Sequence, residues 1–330
     1  MKIAIIGAGL AGLILAHKLK AINKTITVFE KSRGVGGRMA TRYAEPFQFD
    51  HGAQYFTCRD NEFSELIDSH IKQKSVQSWS GKIVTLNSLN DSTLHDSSEK
   101  KFIAVPKMNT LCKNLSNGLD IRLSVQVQDL NYTDANGWQF RDQNNMLYQG
   151  FDWVISTAPA PQTQALFTCD FVDFETLTNV KMTGCYSLML GYHSALSLEW
   201  DGAFVQNSPI GWICINSRKP ERNTEAYSVL VQTSNAWAEA HLEDDQNAVQ
   251  NLVLKEFQKI TDTSHVSPDH IALHRWRYAG AESAAGKDFL IDPRLKLAAC
   301  GDWCIEGRVE AAFQSASALA AELERTNFYS

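Results

Sequence analysis

Residues 1–38 constrain the fold more tightly than any other stretch of this chain. Lys2–Ile6 is a short, β-branched apolar run that predicts a buried strand. It ends at Gly7-Ala8-Gly9-Leu10-Ala11-Gly12, after which Leu13, Ala16, His17 and Leu19 continue at helical spacing. Ile26-Thr27-Val28-Phe29 predicts a second strand, closing on Glu30, eighteen residues past Gly12. Strand, glycine turn, helix, strand and acid in this order specify a dinucleotide-binding βαβ unit. Gly7 permits the tight turn, Gly9 lets the backbone approach a pyrophosphate, and Gly12 lets the helix pack closely on the sheet. The helix N-terminus offers unpaired N–H groups and a positive dipole end to phosphate. Glu30 is placed to accept hydrogen bonds from a ribose. Lys2 ahead of an apolar run resembles an export signal, but the glycines interrupt the run and no small-residue cleavage site follows. No export signal is expected.

With 330 residues and 44% apolar content, the chain can bury a large core, and its length suggests two domains. A net charge of −6 argues against nucleic acid or an anionic membrane as the main partner. No apolar run is long enough for a membrane span. Seven scattered cysteines without an export signal imply reduced thiols and a cytoplasmic location. Cys300 and Cys304 have three residues between them, and no second His/Cys cluster completes a set of four ligands, so no metal is expected. No internal repeat is evident, and Ser88 to Lys101 is a polar, Ser/Asp-rich stretch that reads as a loop.

Beyond Glu30, the run Lys31-Ser32-Arg33-Gly34-Val35-Gly36-Gly37-Arg38-Met39 is more than a plain NAD domain needs. Here the chain resembles FAD enzymes of the amine-oxidase superfamily, in which such a segment brings backbone amides and an arginine to the diphosphate and the flavin. In Phe47 to Thr57, Gly52 suggests close backbone approach to a ligand. His51 reads as structural, whereas Gln54 and Tyr55 carry groups able to bond ring heteroatoms.

Asn61 to Lys74 predicts an amphipathic helix leading into a substrate-facing domain. Trp79 to Leu86 and Phe102 to Val105 predict strands. Pro106 to Asn109 opens a helix through Leu115, and Ile121 to Leu130 predicts a strand whose backbone near Val127 suits an adenine contact. Trp138 to Arg141 and Met146 to Tyr148 read as paired strands, and Asp152 to Pro159 as a buried strand ending in small residues. Between Ala160 and His274, strands at Tyr186–Tyr192, Gly202–Val205, Ile210–Ile215 and Tyr227–Thr233 suggest a mostly antiparallel sheet, with a helix at Asp244–Ile260. Near the C-terminus, a strand runs into Gly301-Asp302 and a small-residue helix follows from Val309 to Glu324. Asp302 suits ribityl or ribose hydroxyls, and the helix N-terminus suits negative charge on a reduced flavin.

Taken in order, these segments resemble the bacterial renalases, a branch of the FAD-dependent amine-oxidase superfamily. Val180-Lys181-Met182, Phe204 to Pro209, Arg218-Lys219-Pro220-Glu221-Arg222, His274-Arg275-Trp276 and Cys300 to Cys304 with Gly307 to Glu310 add to the resemblance. It implies an α/β fold with a Rossmann-type, p-hydroxybenzoate-hydroxylase-like FAD domain (residues 1–58, 106–160 and 285–330). A second, mostly antiparallel α+β substrate domain would comprise residues 59–105 and 161–284.

The FAD, held non-covalently, is expected at Gly7, Ala8, Gly9, Ala11, Gly12, Glu30, Lys31, Gly37, Arg38, Met39, Gly52, Ala53, Gln54, Tyr55, Phe56, Val127, Thr157, Asp302 and Val309. Substrate-pocket candidates are Phe102, Met182, Cys185, Tyr186 and Asn216, and no residue is assigned as acid or base. The resemblance implies oxidation of 2- or 6-dihydro isomers of NAD(P)H to NAD(P)+. Oxygen, giving hydrogen peroxide, or a quinone would reoxidise the flavin. A monomer or homodimer is expected. Lys107, where the family commonly has glycine, and Thr183 to Tyr186, where it has proline and tryptophan, border the expected substrate site. Two other readings remain: an oxidase of small amines or polyamines, and a flavin-loaded protein without turnover.

Overall fold

The computed structural model describes residues 1–22, 24–88, 91–95 and 98–326. Lys2–Ile6 lies inside a six-stranded sheet ordered Leu290–Asp292, Leu297–Ala299, Trp153–Ser156, Lys2–Ile6, Thr25–Glu30 and Asp120–Leu123. Every pairing is parallel except that of the edge strand Leu290–Asp292. Ile3 and Ile5 pack with Leu13 of helix Leu10–Ala21 and Phe313 of helix Val309–Arg325. Ala4 and Ile6 pack instead with Trp138, Phe140 and Phe151 of the meander Gln128–Thr133, Gly137–Arg141 and Leu147–Phe151. Cover on both faces is why this strand is a continuous apolar run rather than an alternating one.

A second sheet has seven strands, in the order His270–Ser283, Lys181–Tyr192, Tyr227–Thr233, Ile210–Ile215, Gly202–Val205, Ile83–Ser88 and Asp91–Leu94. It is antiparallel apart from the pairing of Gly202–Val205 with Ile83–Ser88. Its two faces have different jobs. Tyr186, Leu188 and Leu190 share a cluster with Val249, Val253 and Phe257 of helix Gln246–Thr261. Ser187, Met189 and Gly191 turn the other way, toward the strand Phe47–Asp50 and the turn after it. This inner face positions the site.

The local departures from the sequence reading have specific causes. Ile121 to Leu130 is not one strand: Ser124 takes a left-handed φ of 58°, ending Asp120–Leu123, and Gln128–Thr133 begins a strand of the meander. Within Ser88 to Lys101, Asp91–Leu94 is a strand paired with Ile83–Ser88, while residues 89–90 and 96–97 lie outside the described residues. Trp79 precedes that strand and follows Val76–Ser78, which pairs with Phe102–Ala104. Helix Gln246–Thr261 starts where the Asp245 carboxylate accepts from the amides of Asn247 and Ala248. All seven cysteines are free. Among the described residues no helix is long and apolar enough to cross a membrane.

Candidate active site

The glycine turn forms the floor of a cradle between the first two strands. Gly7 has φ +110°, and a side chain at Gly12 would put its Cβ 2.0 Å from the Gly7 carbonyl oxygen. Gly9 differs: nothing lies within 4 Å of where its Cβ would be, so its backbone faces open space. The helix that starts after Gly9 has no side-chain cap and no acid in its first turn, which leaves its positive end free for an anion.

Glu30 pins this turn. Its carboxylate is buried and accepts from the Ala8 amide at 2.8 Å and the Ser32 amide at 2.8 Å. A carboxylate has about four acceptor positions, so two remain for a ligand hydroxyl. The second glycine run closes over the first, with the Gly36 amide donating to the Ala8 carbonyl at 2.9 Å. Thr157 completes the floor by donating to the Gly7 carbonyl at 3.0 Å. Val125 and Ser124 donate to Glu30 and Ser32 carbonyls, which brings the backbone approaching Val127 alongside the acid.

Arg38 joins this cradle to the C-terminal segment. Its guanidinium makes a forked pair with the buried Asp302 carboxylate and donates to the Ala279 carbonyl at 3.1 Å. The Arg38 carbonyl accepts from Ala53 at 2.8 Å, and a Cβ on Gly52 would stand 1.9 Å from that same oxygen. The structure thus brings together Gly7, Ala8, Gly9, Gly12, Glu30, Gly37, Arg38, Gly52, Ala53, Thr157 and Asp302. Lys31 is exposed on the rim, Ala11 and Met39 are buried behind the floor, and Val309 opens the C-terminal helix.

Asp50 to Gln54 forms a shelf in which the carbonyls of Asp50, His51 and Gly52 are tied down. The Asp50 carbonyl accepts from the Gln54 amide group. The His51 carbonyl takes 2.7 Å bonds from Ser187 and Trp276, and the Gly52 carbonyl takes 2.9 Å bonds from Gln54 and Gln232. The sequence offered the Gln54 amide as a ligand for ring heteroatoms. Instead, its N–H groups are spent inside the shelf and its oxygen accepts from Lys219 at 3.2 Å. Gln54 is a brace.

Beneath the shelf lies a fully buried ionic cluster. One Asp50 oxygen takes bonds from Arg222 at 2.7 and 3.1 Å, with the Lys219 ammonium 3.6 Å away. The other accepts from Thr41 at 2.8 Å and the Met108 amide at 3.0 Å. Burial alone would raise the Asp50 carboxyl, but Arg222 first and Lys219 second outweigh it and hold it at about 2.

Rings from the inner face of the second sheet, joined by His51, Tyr55 and Trp79 from the segments beside it, roof the shelf. Tyr55 lies 6.0 Å from both Trp79 and Trp212, centroid to centroid, and Trp212 lies 4.6 Å from Phe204. His51, His274 and Trp276 form a second group, with centroids 4.3–5.0 Å apart. The substrate candidates from sequence fare differently. Phe102 stacks on Phe56 at 6.1 Å and is half-buried beside Lys101. Met182 packs with the cluster around Trp303.

Tyr186 faces the opposite side of its strand, its hydroxyl donating to the His241 carbonyl at 2.9 Å, so it cannot line this pocket. Asn216 is a bracket: it donates to the Gln48 carbonyl at 3.0 Å and accepts from the Asp50 amide. Cys185 is buried against Thr233, and burial pushes its thiol up to about 11. Sequence reasoning missed Trp79, Trp212, Phe204, Gln232 and Lys219. The alternation of Ile210–Ile215 marks Trp212, but which face is inner depends on tertiary packing.

The two buried histidines yield a pH prediction. Burial, then His274 and Arg42, pushes His51 down to about 4; burial, then Arg42, pushes His274 down to about 4. Both are neutral in the folded chain where an unfolded histidine, titrating near ~6.5, takes up a proton. The unfolded state therefore binds more protons between pH ~6.5 and ~4, and stability falls as pH drops through that window. His51 accounts for at most about 3 kcal/mol, and the more exposed His274 for less. Urea unfolding at pH 7 and pH 4.5 should show this loss, and His51→Gln should flatten it. Equal stability at both values would contradict it.

A turn of tight glycines with one open Cα, an uncapped helix end and a buried acid fit a dinucleotide. The forked Arg38–Asp302 pair ties this cradle to the C-terminal segment. Comparison with known proteins agrees. Residues 5–69 match the sequence profile of an NAD(P)-binding Rossmann-like domain, and residues 91–323 match that of flavin containing amine oxidoreductase. Mouse renalase is 27% identical over 315 residues, spanning 86% of both chains. A 4,4'-diapophytoene desaturase of Staphylococcus aureus is 46% identical over 52 residues, 16% of this chain and 10% of that one.

Among solved structures, a protein from Exiguobacterium sp. 255-15 assigned as a protoporphyrinogen oxidase superposes with TM-score 0.79 at 12% identity, covering 98% of each chain. Putrescine oxidase bound to putrescine superposes with TM-score 0.70 at 11% identity, covering 98% of this chain and 99% of that one. At such identities the superpositions speak to the fold. The profile match across residues 91–323, laid over this cradle, makes the chain a member of the flavin-containing amine oxidoreductase family.

Proposed function

We propose that the chain binds FAD non-covalently and oxidises 2- or 6-dihydro isomers of NAD(P)H to NAD(P)+. The observation that carries this reading is the ring-lined roof of Tyr55, Trp79, Trp212 and Phe204 over a braced shelf that abuts the dinucleotide cradle. Such a roof suits a planar ring laid flat. The similarity to mouse renalase along 86% of the chain supports the same reading.

Bound FAD would supply a hydride acceptor and pass two electrons on to oxygen, giving hydrogen peroxide, or to a quinone. The protein's part is alignment and exclusion of water. Gly9 and the helix N-terminus would hold the pyrophosphate, and Glu30 a ribose hydroxyl. The carbonyl ties from Ser187, Trp276 and Gln232 hold the shelf in place beneath a bound ring. No proton has to be removed from carbon: the dihydropyridine loses a hydride and becomes aromatic, so no general base is needed.

Product analysis tests this. One NAD(P)+ and one hydrogen peroxide should form per oxygen consumed when a dihydro isomer is supplied in air. Oxygen uptake with putrescine or phenethylamine and none with either isomer would overturn the proposal. FAD should also leave the protein on acid precipitation, whereas flavin remaining in the pellet would overturn non-covalent binding.

A further inference from the structure

We propose that Lys219, helped by Lys101 at the rim, sets the charge preference of the ring pocket, admitting an uncharged planar ring and rejecting an ammonium ligand. The inference rests on the reading that substrate lies between the shelf and the ring-lined roof. An aromatic box ordinarily attracts an ammonium group, because ring faces are negative. In this box two faces are already taken by the chain's own cations. The Lys219 ammonium stands 5.7 Å from the Trp79 centroid, and the Lys101 ammonium 5.8 Å from that of Tyr55.

Lys219 matters more, because its side chain is fully buried and its charge is only partly offset by Asp50. Asp50 is the one acid within its reach among the described residues, and Arg222 takes that carboxylate twice, at 2.7 and 3.1 Å. The nearby Asp201 is engaged by Arg218 at 3.8 Å and by the Lys82 amide at 2.8 Å. One carboxylate thus serves two cations, leaving a surplus positive charge that water and salt screen weakly. An ammonium brought to ~6 Å from it would lose about tenfold in affinity or more.

The ring group also holds buried donors that have no acceptor among the described residues. The indole N–H groups of Trp79 and Trp212 are buried with no partner, and both side chains are over nine-tenths buried. Buried donors of this kind are expected to be satisfied. A planar ring bearing a carbonyl oxygen, such as a carboxamide, is a ligand able to meet the Trp212 donor, whereas the Trp79 N–H lies against Gly81. A protonated amine has no acceptor to offer.

Benzamide and benzamidinium have nearly the same shape and differ in charge, so they separate this effect from fit. Titrated into the FAD-loaded protein and followed by indole fluorescence, benzamide should bind about tenfold or more tightly than benzamidinium. Lys219→Met should bring the ratio close to one by strengthening benzamidinium binding, and Lys219→Arg should keep the wild-type ratio. Should Lys219→Met fail to fold, Lys101→Met, at a half-buried rim position, carries the test and should narrow the ratio.

Equal wild-type affinities, no binding of either ligand, or a ratio unchanged in every charge-removing variant that folds would overturn the proposal. The readout needs no turnover. A protein that prefers benzamide yet is reduced by no dihydronicotinamide would overturn the substrate proposal alone. One that is reduced but shows no preference would overturn the charge filter alone.

Discussion

Gly52→Ala is expected to purify with clearly reduced flavin content. The added Cβ would stand 1.9 Å from the Arg38 carbonyl oxygen and 2.8 Å from its carbon, both backbone atoms that no rotamer change can move. Relief requires shifting the Arg38 segment, whose guanidinium is tied to Asp302 and whose carbonyl holds Ala53. Overpacking of this kind costs about 1–3 kcal/mol. Because the shift falls on the join between cradle and shelf, FAD affinity should fall by roughly 5- to 160-fold. The visible flavin absorbance per protein reads this directly. Gly34→Ala is the control: nothing lies within 4 Å of its Cβ direction, so it should keep wild-type flavin content. Full flavin content in Gly52→Ala would contradict the packing argument.

Asp50→Asn is expected to cost about 3–5 kcal/mol of stability, the usual penalty for removing one partner of a buried ionic group. The amide has almost the shape of the carboxylate but no charge to set against Arg222 and Lys219, whose side chains are 2% and 0% exposed. Its nitrogen would also face donors at Thr41 or Met108, or at Arg222, with no acceptor there to receive it. Urea unfolding should show a lower midpoint with an unchanged slope. A loss below ~1 kcal/mol would mean that the cluster is not the anchor described above. Arg222→Met with Asp50→Asn should be milder than Asp50→Asn alone, since one stranded cation is removed with the acid.

The cradle was legible in the sequence because each of its parts is local. Gly7, Gly9, Gly12 and Glu30 act through turn geometry and a strand end, and these are written within thirty residues. The sheet around them followed from apolar runs such as Lys2–Ile6 and Trp153–Ser156, which are buried on both faces. The roof was less legible. Tyr186 and Trp212 look alike in sequence, each an aromatic inside an alternating strand, yet they face opposite sides of the same sheet. Only the packing of helix Gln246–Thr261 on one face and of Phe47–Asp50 on the other decides between them.

Lys219 and Arg222 entered the sequence reading only within a family-like segment, and charged stretches usually sit in solvent. Their burial depends on Asp50, some 170 residues away in sequence. Gln54 was ambiguous for a related reason: its amide can serve a ligand or the shelf, and here it bonds the shelf and Lys219.

The most direct test of the account is a rapid anaerobic mix of the flavin-loaded protein with 6-dihydro-NAD(P), watching the flavin absorbance. Ordinary NADH and putrescine serve as parallel donors. The account predicts fast, stoichiometric bleaching by the isomer with release of NAD(P)+, and little change with the other two. Bleaching by putrescine with none by the isomer would contradict it.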